Sequence, residues 1–236
     1  MDLRETWELE AEDWVRWART PGHDAYWYYR AAFFDHVVPP PARLTVEVGC
    51  GEGRVVRDLV ARGHRVVAVD GSPTLLRHAV GADPGGRYVL ADAARIPLGS
   101  GGADMAVAYN SLMDMDDMPA VVEEVARVLR PGDAFCICIT HPFIDAGDFE
   151  GDGDDAPFRL RDRYFGSRPL VAEEHRQGLR MRFRGWSHAL QEYFTALGGA
   201  GFVVELLREP VPTAPFPDDE RWHRYPMFLH LRARRR

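Results

Sequence analysis

The apolar positions of this 236-residue chain fall into two regimes. From about residue 7 to 38 they are helically spaced and strongly aromatic. Trp14, Trp17, Tyr26, Trp27, Tyr28, Tyr29, Phe33 and Phe34 fall on two stretches, separated by Pro21-Gly22 and closed by Pro39-Pro40-Pro41. Beyond residue 42, short apolar runs alternate with amphipathic ones. The pattern predicts strands at 44–48, 65–69, 88–91, 104–109 and 135–140, with helices at 54–62, 74–80 and 119–129, the last stopped by Pro131-Gly132. Strand and helix units repeated at this spacing predict an α/β fold with a doubly wound, Rossmann-like sheet covered by helices on both faces.

The rhythm breaks at residue 141. Residues 141–185 are polar, acidic at first and then rich in arginine, and read as an insertion after the fifth strand, where the sheet's carboxyl edge sets it over the binding crevice. A helix at 187–198, a sixth strand at 202–207 and a seventh at 226–232 follow. A long Pro-rich connection, rather than a helix, joins the last two strands and predicts that the last one runs antiparallel. The expectation is a single domain over 1–236 with a seven-stranded sheet. Its parts are an N-terminal helical lid at 1–41, a core at 42–140, a substrate-side insertion at 141–185, and a C-terminal helix with the last two strands at 186–236.

Composition narrows the partners. The net charge is −7 and every basic residue is arginine. Such a chain has no broad positive field for a phosphate backbone, so nucleic acid is not an expected partner. The basic tip Arg232, Arg234, Arg235 and Arg236 reads as a frayed, solvated tail. Cys50, Cys136 and Cys138 are too few and too oddly spaced for a disulfide framework, and the last two read as strand residues. The acidic opening Met1-Asp2-Leu3-Arg4-Glu5 lacks the build of a signal peptide, and no apolar run approaches the roughly 18 residues of a membrane span. A cytoplasmic protein away from the membrane is expected, with assembly as a homodimer left open.

The chemistry concentrates at strand ends. Gly49, Gly51 and Gly53 follow the first strand and precede a helix, so the chain can turn tightly and a cofactor can approach the backbone. A dinucleotide fingerprint requires glycine or alanine where Arg54 stands, which counts against a nicotinamide-dependent oxidoreductase. Asp70, with Gly71 and Ser72 beside it, ends the second strand, where a carboxylate can accept from a ribose diol. Asp92 ends the third, placed to accept from an adenine amine beside the backbone of Ala93; the duller reading of Asp92 is a turn cap.

Taken in order, Glu47-x-Gly49-x-Gly51-x-Gly53, Asp70, Asp92-Ala93, Asp104 leading to Asn110-Ser111-Leu112, and Leu129-Arg130-Pro131-Gly132-Asp133 resemble the class I methyltransferases. Among these they look like the small-molecule enzymes related to ubiquinone and menaquinone biosynthesis. The resemblance implies S-adenosylmethionine as cofactor and S-adenosylhomocysteine as product. It implies that Glu47 meets the methionine ammonium, that Gly49, Cys50 and Gly51 line the methionine and ribose, and that Asp70 binds the ribose hydroxyls. It gives Asp92 and Ala93 to the adenine, and the backbone from Asn110 through Ser111 to Leu112 completes the pocket.

Methyl transfer needs an acceptor lone pair held in line at about 3 Å and, for a hydroxyl or ring carbon, a base with a pKa near the working pH. His141, at the end of the fifth strand, is the first candidate base, its alternative being a hydrogen bond to the insertion's backbone; His188 could reach the cavity from the far wall, although a helix cap by Ser187 is the duller reading and is preferred there. Phe143 and Trp186 are candidate acceptor contacts. Tyr28 and Tyr29 are candidate lid residues near the methionine end. The acids Asp145, Asp148, Glu150, Asp152, Asp154 and Asp155 lack the bidentate glutamate of a calcium loop, since Arg159 stands at its position, so no metal is expected. The leading function is methyl transfer to a small molecule in secondary metabolism. The alternatives are a protein of the same fold that holds the cofactor structurally while catalysing another reaction, and the oxidoreductase.

Overall fold

A computed structural model of the chain describes residues 2–151, 153–213 and 220–236. Two helices, α1 (Leu3–Arg19) and α2 (Tyr26–His36), precede the sheet. The Asp2 carboxylate starts α1 by accepting from the Arg4 and Glu5 N–H groups, two of the donors a helix start leaves free. The core follows as β1 (Thr45–Val48), α3 (Arg54–Ala61), β2 (Val66–Asp70), α4 (Pro73–Ala82), β3 (Arg87–Leu90), β4 (Ala103–Tyr109), α5 (Met118–Val128) and β5 (Leu129–Thr140). After it come the strand pairs β6 (Gly147–Phe149) with β7 (Phe158–Leu160) and β8 (Arg168–Arg176) with β9 (Leu179–Ser187), then α6 (Leu190–Gly199), β10 (Phe202–Arg208) and β11 (Phe228–Arg235).

The main sheet has seven strands in the order β10-β11-β5-β4-β1-β2-β3. β11 runs antiparallel to both β5 and β10, and the remaining pairs are parallel. This is the sheet read from the sequence, including its reversed last strand. From β1 the chain winds outward to β3 and returns to β4 on the other side of β1, so a crevice opens between the carboxyl ends of these two strands.

Strand periodicity divides the core. Along β5, Phe135, Ile137 and Ile139 pack toward α5 and α6 with Leu229 and Leu231 of β11. The alternate residues Ala134, Cys136 and Cys138 pack toward α2 and α3 with Phe33 and Leu59. The cysteines are therefore buried strand residues and unpaired, as expected. Among the described residues no helix is long and apolar enough to cross a membrane.

One expectation gains detail and two change. The stretch 141–185 is folded into antiparallel strands. In the longer hairpin, Gln177 and Gly178 both have positive φ, 49° and 79°, as a two-residue turn matched to strand twist requires. Along and just beyond β6 and β7, Asp148 pairs with Arg161 and Glu150 with Arg159, so arginines that follow neutralise these two acids; Asp152 lies outside the described residues. Second, Ser187 does not cap a helix. It ends β9, and α6 begins at Leu190 with Ala189 as a cap that offers no side chain. Third, the C-terminal arginines are not frayed. Arg232 and Arg234 both bind Glu205 of β10, at 2.5 and 2.9 Å, and the Arg236 N–H donates to the Gly201 carbonyl, so the sheet holds the tail. The Pro-rich connection passes through 214–219, which lie outside the described residues.

Leu229 is 1% exposed at the centre of this packing, whereas Leu9 on α1 is 85% exposed. Leu229→Ala is expected to lower unfolding free energy by about 2–5 kcal/mol and Leu9→Ala to stay within about 0.5 kcal/mol, as read by urea denaturation.

Candidate active site

At the crevice the ends of β1, β2 and β4 are tied together. Gly49, with φ of 74°, is the first residue past β1, and a Cβ on it would stand 2.5 Å from the Ser111 Cβ, so the turn after β1 touches the turn after β4 only because this position is glycine. Ser111 Oγ donates to the Val48 carbonyl at 2.6 Å and seals that contact. From β2, Asp70 accepts the Gly51 N–H on Oδ2 at 2.7 Å and the Ser72 N–H on Oδ1 at 2.8 Å. The short distances reflect ionic acceptors meeting backbone donors.

Above these strand ends lies a cavity of about 1170 Å³. Of the residues expected from the sequence, Glu47, Gly49, Cys50, Gly51, Asp70, Gly71, Ser72, Asp92, Ala93, Asn110 and Ser111 line it. Asp92 also accepts the Ala94 N–H at 2.9 Å, so it is cap and cavity wall together. Gly53 does not line it and serves instead as the left-handed cap of α3. Leu112 points into the core, 1% exposed. Tyr28 and Tyr29 do not reach the cavity either: the Tyr28 hydroxyl donates to the Gly22 carbonyl, and the Tyr29 ring is buried edge-on against Phe228.

Neither candidate histidine faces the cavity. Thr140 lines it, and the next residue, His141, turns the other way, with Nε2 3.1 Å from a Glu209 carboxylate oxygen and Nδ1 accepting the Phe143 N–H. His188 sits past the end of β9 with Nδ1 2.7 Å from Ser167 Oγ and its ring stacked on Trp186, which is also outside. Burial lowers the pKa of both rings. Phe143 packs into a separate aromatic group with Phe158 and Tyr225.

The walls that sequence reasoning missed are aromatic and acidic. Trp7 and Trp14 of α1 meet edge to face, and the Phe183 ring of β9 meets both Trp14 and Trp17. α1 is fixed across the opening by polar contacts. The Glu8 carboxylate accepts from the Ser72 and Thr74 hydroxyls, Arg19 pairs with buried Glu52 beside the glycine turn, and the Leu3 N–H donates to Asp116. The carboxyls within are short of cations. Burial, then Asp70 and Glu52, push the Glu47 pKa well above the usual carboxylate range, and its Oε2 has no partner. Burial, then Asp70, does the same to Asp114. Burial raises the Asp145 pKa to about 6 against the pull of the Ser187 hydroxyl and the Arg168 guanidinium. Such a floor suits a ligand that brings positive charge and hydrogen-bond donors.

Residues 46–137 match the methyltransferase-domain family, a span from within β1 to within β5. An uncharacterised methyltransferase of Mycobacterium tuberculosis is 38% identical over 104 residues, 44% of this chain and 42% of its own length, so the chain spans about two fifths of that relative. Among solved structures, an S-adenosylmethionine-dependent methyltransferase from Mesorhizobium loti superposes over 90% of this chain and 98% of its own with a TM-score of 0.70 at 24% identity. The 1,6-didemethyltoxoflavin-N1-methyltransferase of Burkholderia thailandensis, solved with 1,6-didemethyltoxoflavin and S-adenosylhomocysteine, superposes over 99% of this chain and 87% of its own at 0.58 and 19% identity. Residues 46–137 are thus similar to a methyltransferase domain, and the chain as a whole has the fold of the S-adenosylmethionine-dependent methyltransferases on which it superposes.

Proposed function

We propose that the chain transfers a methyl group from S-adenosylmethionine to an O, N or C atom of a small organic acceptor, as a cytoplasmic enzyme of secondary metabolism. The observation that carries this reading is Glu47: a buried carboxylate at the end of β1, with an unpartnered oxygen, beside a glycine turn that leaves room for a ligand. Glu47 takes the methionine ammonium, and Gly49, Cys50 and Gly51 line the chain that follows. Asp70 keeps lone pairs free after accepting two N–H groups and takes the ribose hydroxyls. Asp92 and the Ala93 backbone take the adenine, with Asn110 and Ser111 closing the floor.

The bound cofactor supplies a methyl already made electrophilic by its sulfonium. The chain's part is to align the acceptor and to exclude water. At about 1170 Å³ the cavity exceeds the roughly 300–1,000 Å³ usual for one ligand, leaving room for an acceptor beside the cofactor. Its apolar roof, Trp17 and Phe183, suits a flat organic molecule. Where the accepting atom carries a proton, Asp145 replaces His141 as the base, because it lines the cavity and its pKa is near the working range. α1 serves as the lid, latched through Glu8 and Arg19.

Four measurements test this reading. Glu47→Gln is expected to weaken S-adenosylhomocysteine at least about tenfold by calorimetry, as loss of a buried ionic partner does. A carboxyl whose folded pKa is raised contributes its full stability below its unfolded value of about 4.3 and loses it as pH rises through the folded pKa. The ligand-free Glu47→Gln protein therefore melts above wild type, by a margin that widens with pH; an equal Tm at pH 5 and 8 refutes the assignment. With an acceptor found by mass of methylated product, Asp145→Asn is expected to lose about 10²–10⁴ in kcat and His141→Ala less than about tenfold; the reverse ranking returns the role to His141. Limited proteolysis ahead of Pro39 is expected to slow when S-adenosylhomocysteine is added, and unchanged cutting rules out the lid.

A further inference from the structure

Beside the glycine turn, the inner end of the cavity holds a group of polar side chains that the protein itself does not satisfy. Among the described residues Glu47 Oε2 and Asp24 Oδ1 are buried without a hydrogen-bond partner and the Tyr109 hydroxyl has none stronger than a thiol, on residues 1%, 7% and 6% exposed, and all three residues line the cavity. The Cys138 thiol beside Tyr109 is a weak partner at best. They come from distant parts of the chain: the connection between α1 and α2, the end of β1 and the end of β4. Buried polar atoms without good partners are rare because each forfeits its hydration, so three in one cavity point to a ligand that supplies the partners.

Arg54 stands among them. Its Nη1 donates to Asp24 Oδ2 at 2.5 Å, and its flat face lies 4.8 Å from the Trp14 ring centre and 4.2 Å from that of Tyr26. The Tyr26 and Tyr109 rings meet edge to face at 5.3 Å, which puts the Tyr109 side chain next to the same stack. A guanidinium has five N–H donors, and Asp24 is the single acceptor that Arg54 finds among the described residues. The stack fixes the plane of the guanidinium, so its remaining donors are held in place before any ligand arrives.

Two carboxylate oxygens that need donors, beside a guanidinium and a hydroxyl that need an acceptor, complement an α-amino acid in its zwitterionic form. A lone amine would leave Arg54 and Tyr109 unmet, and a lone carboxylate would leave Glu47 and Asp24 unmet. Resting on the cofactor reading above, we propose that Arg54 and Tyr109 bind the carboxylate of the cofactor's methionine end while Asp24 joins Glu47 in binding its ammonium. The connection between α1 and α2 is then part of the cofactor site, and Arg54, whose presence breaks the dinucleotide fingerprint, has a positive task there.

The test is calorimetric titration with S-adenosylhomocysteine and with its decarboxylated analogue, S-adenosyl-3-thiopropylamine, which keeps the ammonium and lacks the carboxylate. Wild type is expected to prefer the homocysteine compound by about tenfold or more, the scale of a hydrogen-bonded ion pair. Arg54→Met should erase that preference, binding both compounds at the level wild type shows for the analogue. Tyr109→Phe should narrow it by about threefold. A purely structural Arg54 would weaken both compounds alike and leave the ratio intact, which overturns the assignment. If Arg54→Met does not fold by circular dichroism, Tyr109→Phe decides, and an unchanged ratio there overturns it. Wild type binding both compounds equally removes the carboxylate clamp and keeps the cofactor reading; wild type binding neither removes both. Asp24→Asn should weaken the analogue while sparing 5′-methylthioadenosine, which has no ammonium, and equal loss of the two removes Asp24 from the site.

Discussion

Gly49 and Ser111 meet where the sheet changes direction, at a distance that a methyl group on Gly49 would forbid. Because β1 and β4 are neighbours in the sheet but far apart in the chain, their turns would ordinarily splay over the crevice. The absent Cβ and the Ser111 hydrogen bond to Val48 bring them together, and Asp70 draws in the third turn through the Gly51 N–H. The floor of the cavity, the direction in which Glu47 faces and the seat for Asn110 all follow from that approach. Asn110 itself adopts φ of 50°, a strained value for a residue with a side chain, held by its N–H to the Cys138 carbonyl.

The same floor sets stability against function. Glu47, Asp70 and Asp114 have pKa values raised by burial, and none forms an ion pair among the described residues. An apolar floor would fold more readily. The unmatched charge is compensated elsewhere, by two well-packed core layers and by the latches that hold α1 across the opening.

What the sequence made legible follows from how locally each feature is encoded. Strands buried on both faces read as unbroken apolar runs, so β1, β2 and β4 stand within about one residue of where the pattern puts them, whereas β5 begins at Leu129, ahead of the expected 135, because Pro131-Gly132 reads as a helix stop and instead lies within the strand. The reversed last strand is readable because a Pro-rich connection cannot serve as a crossover helix. The hairpin of β8 and β9 is not, because its inward residues, Ala172, Met181, Phe183 and Gly185, alternate with arginines and acids that read as a solvated stretch. Its turn is Gln177-Gly178, in place of the commoner Asn-Gly. His141 is a matter of parity: chemistry favours it, but one residue's difference along β5 gives the cavity to Thr140. Asp145 and Asp114 look like ordinary loop acids until the fold closes over them. Arg54 is read from sequence only as an exclusion, since its partners Asp24, Trp14 and Tyr26 lie some thirty to forty residues away and converge on it only in three dimensions.

The β8–β9 hairpin meets the rest of the cavity through its Gly185 backbone against Asp114 and Met113, its Phe183 ring against α1, and polar contacts such as that of Arg176 with the His23 carbonyl. It is closed by its own turn and contributes no strand to the main sheet. This wall of the cavity is thus a separable part. Its length and inward residues can be exchanged while the glycine turn and the acids of the sheet stay untouched, so a change in this one ribbon reshapes the cavity's outer wall and leaves its floor whole.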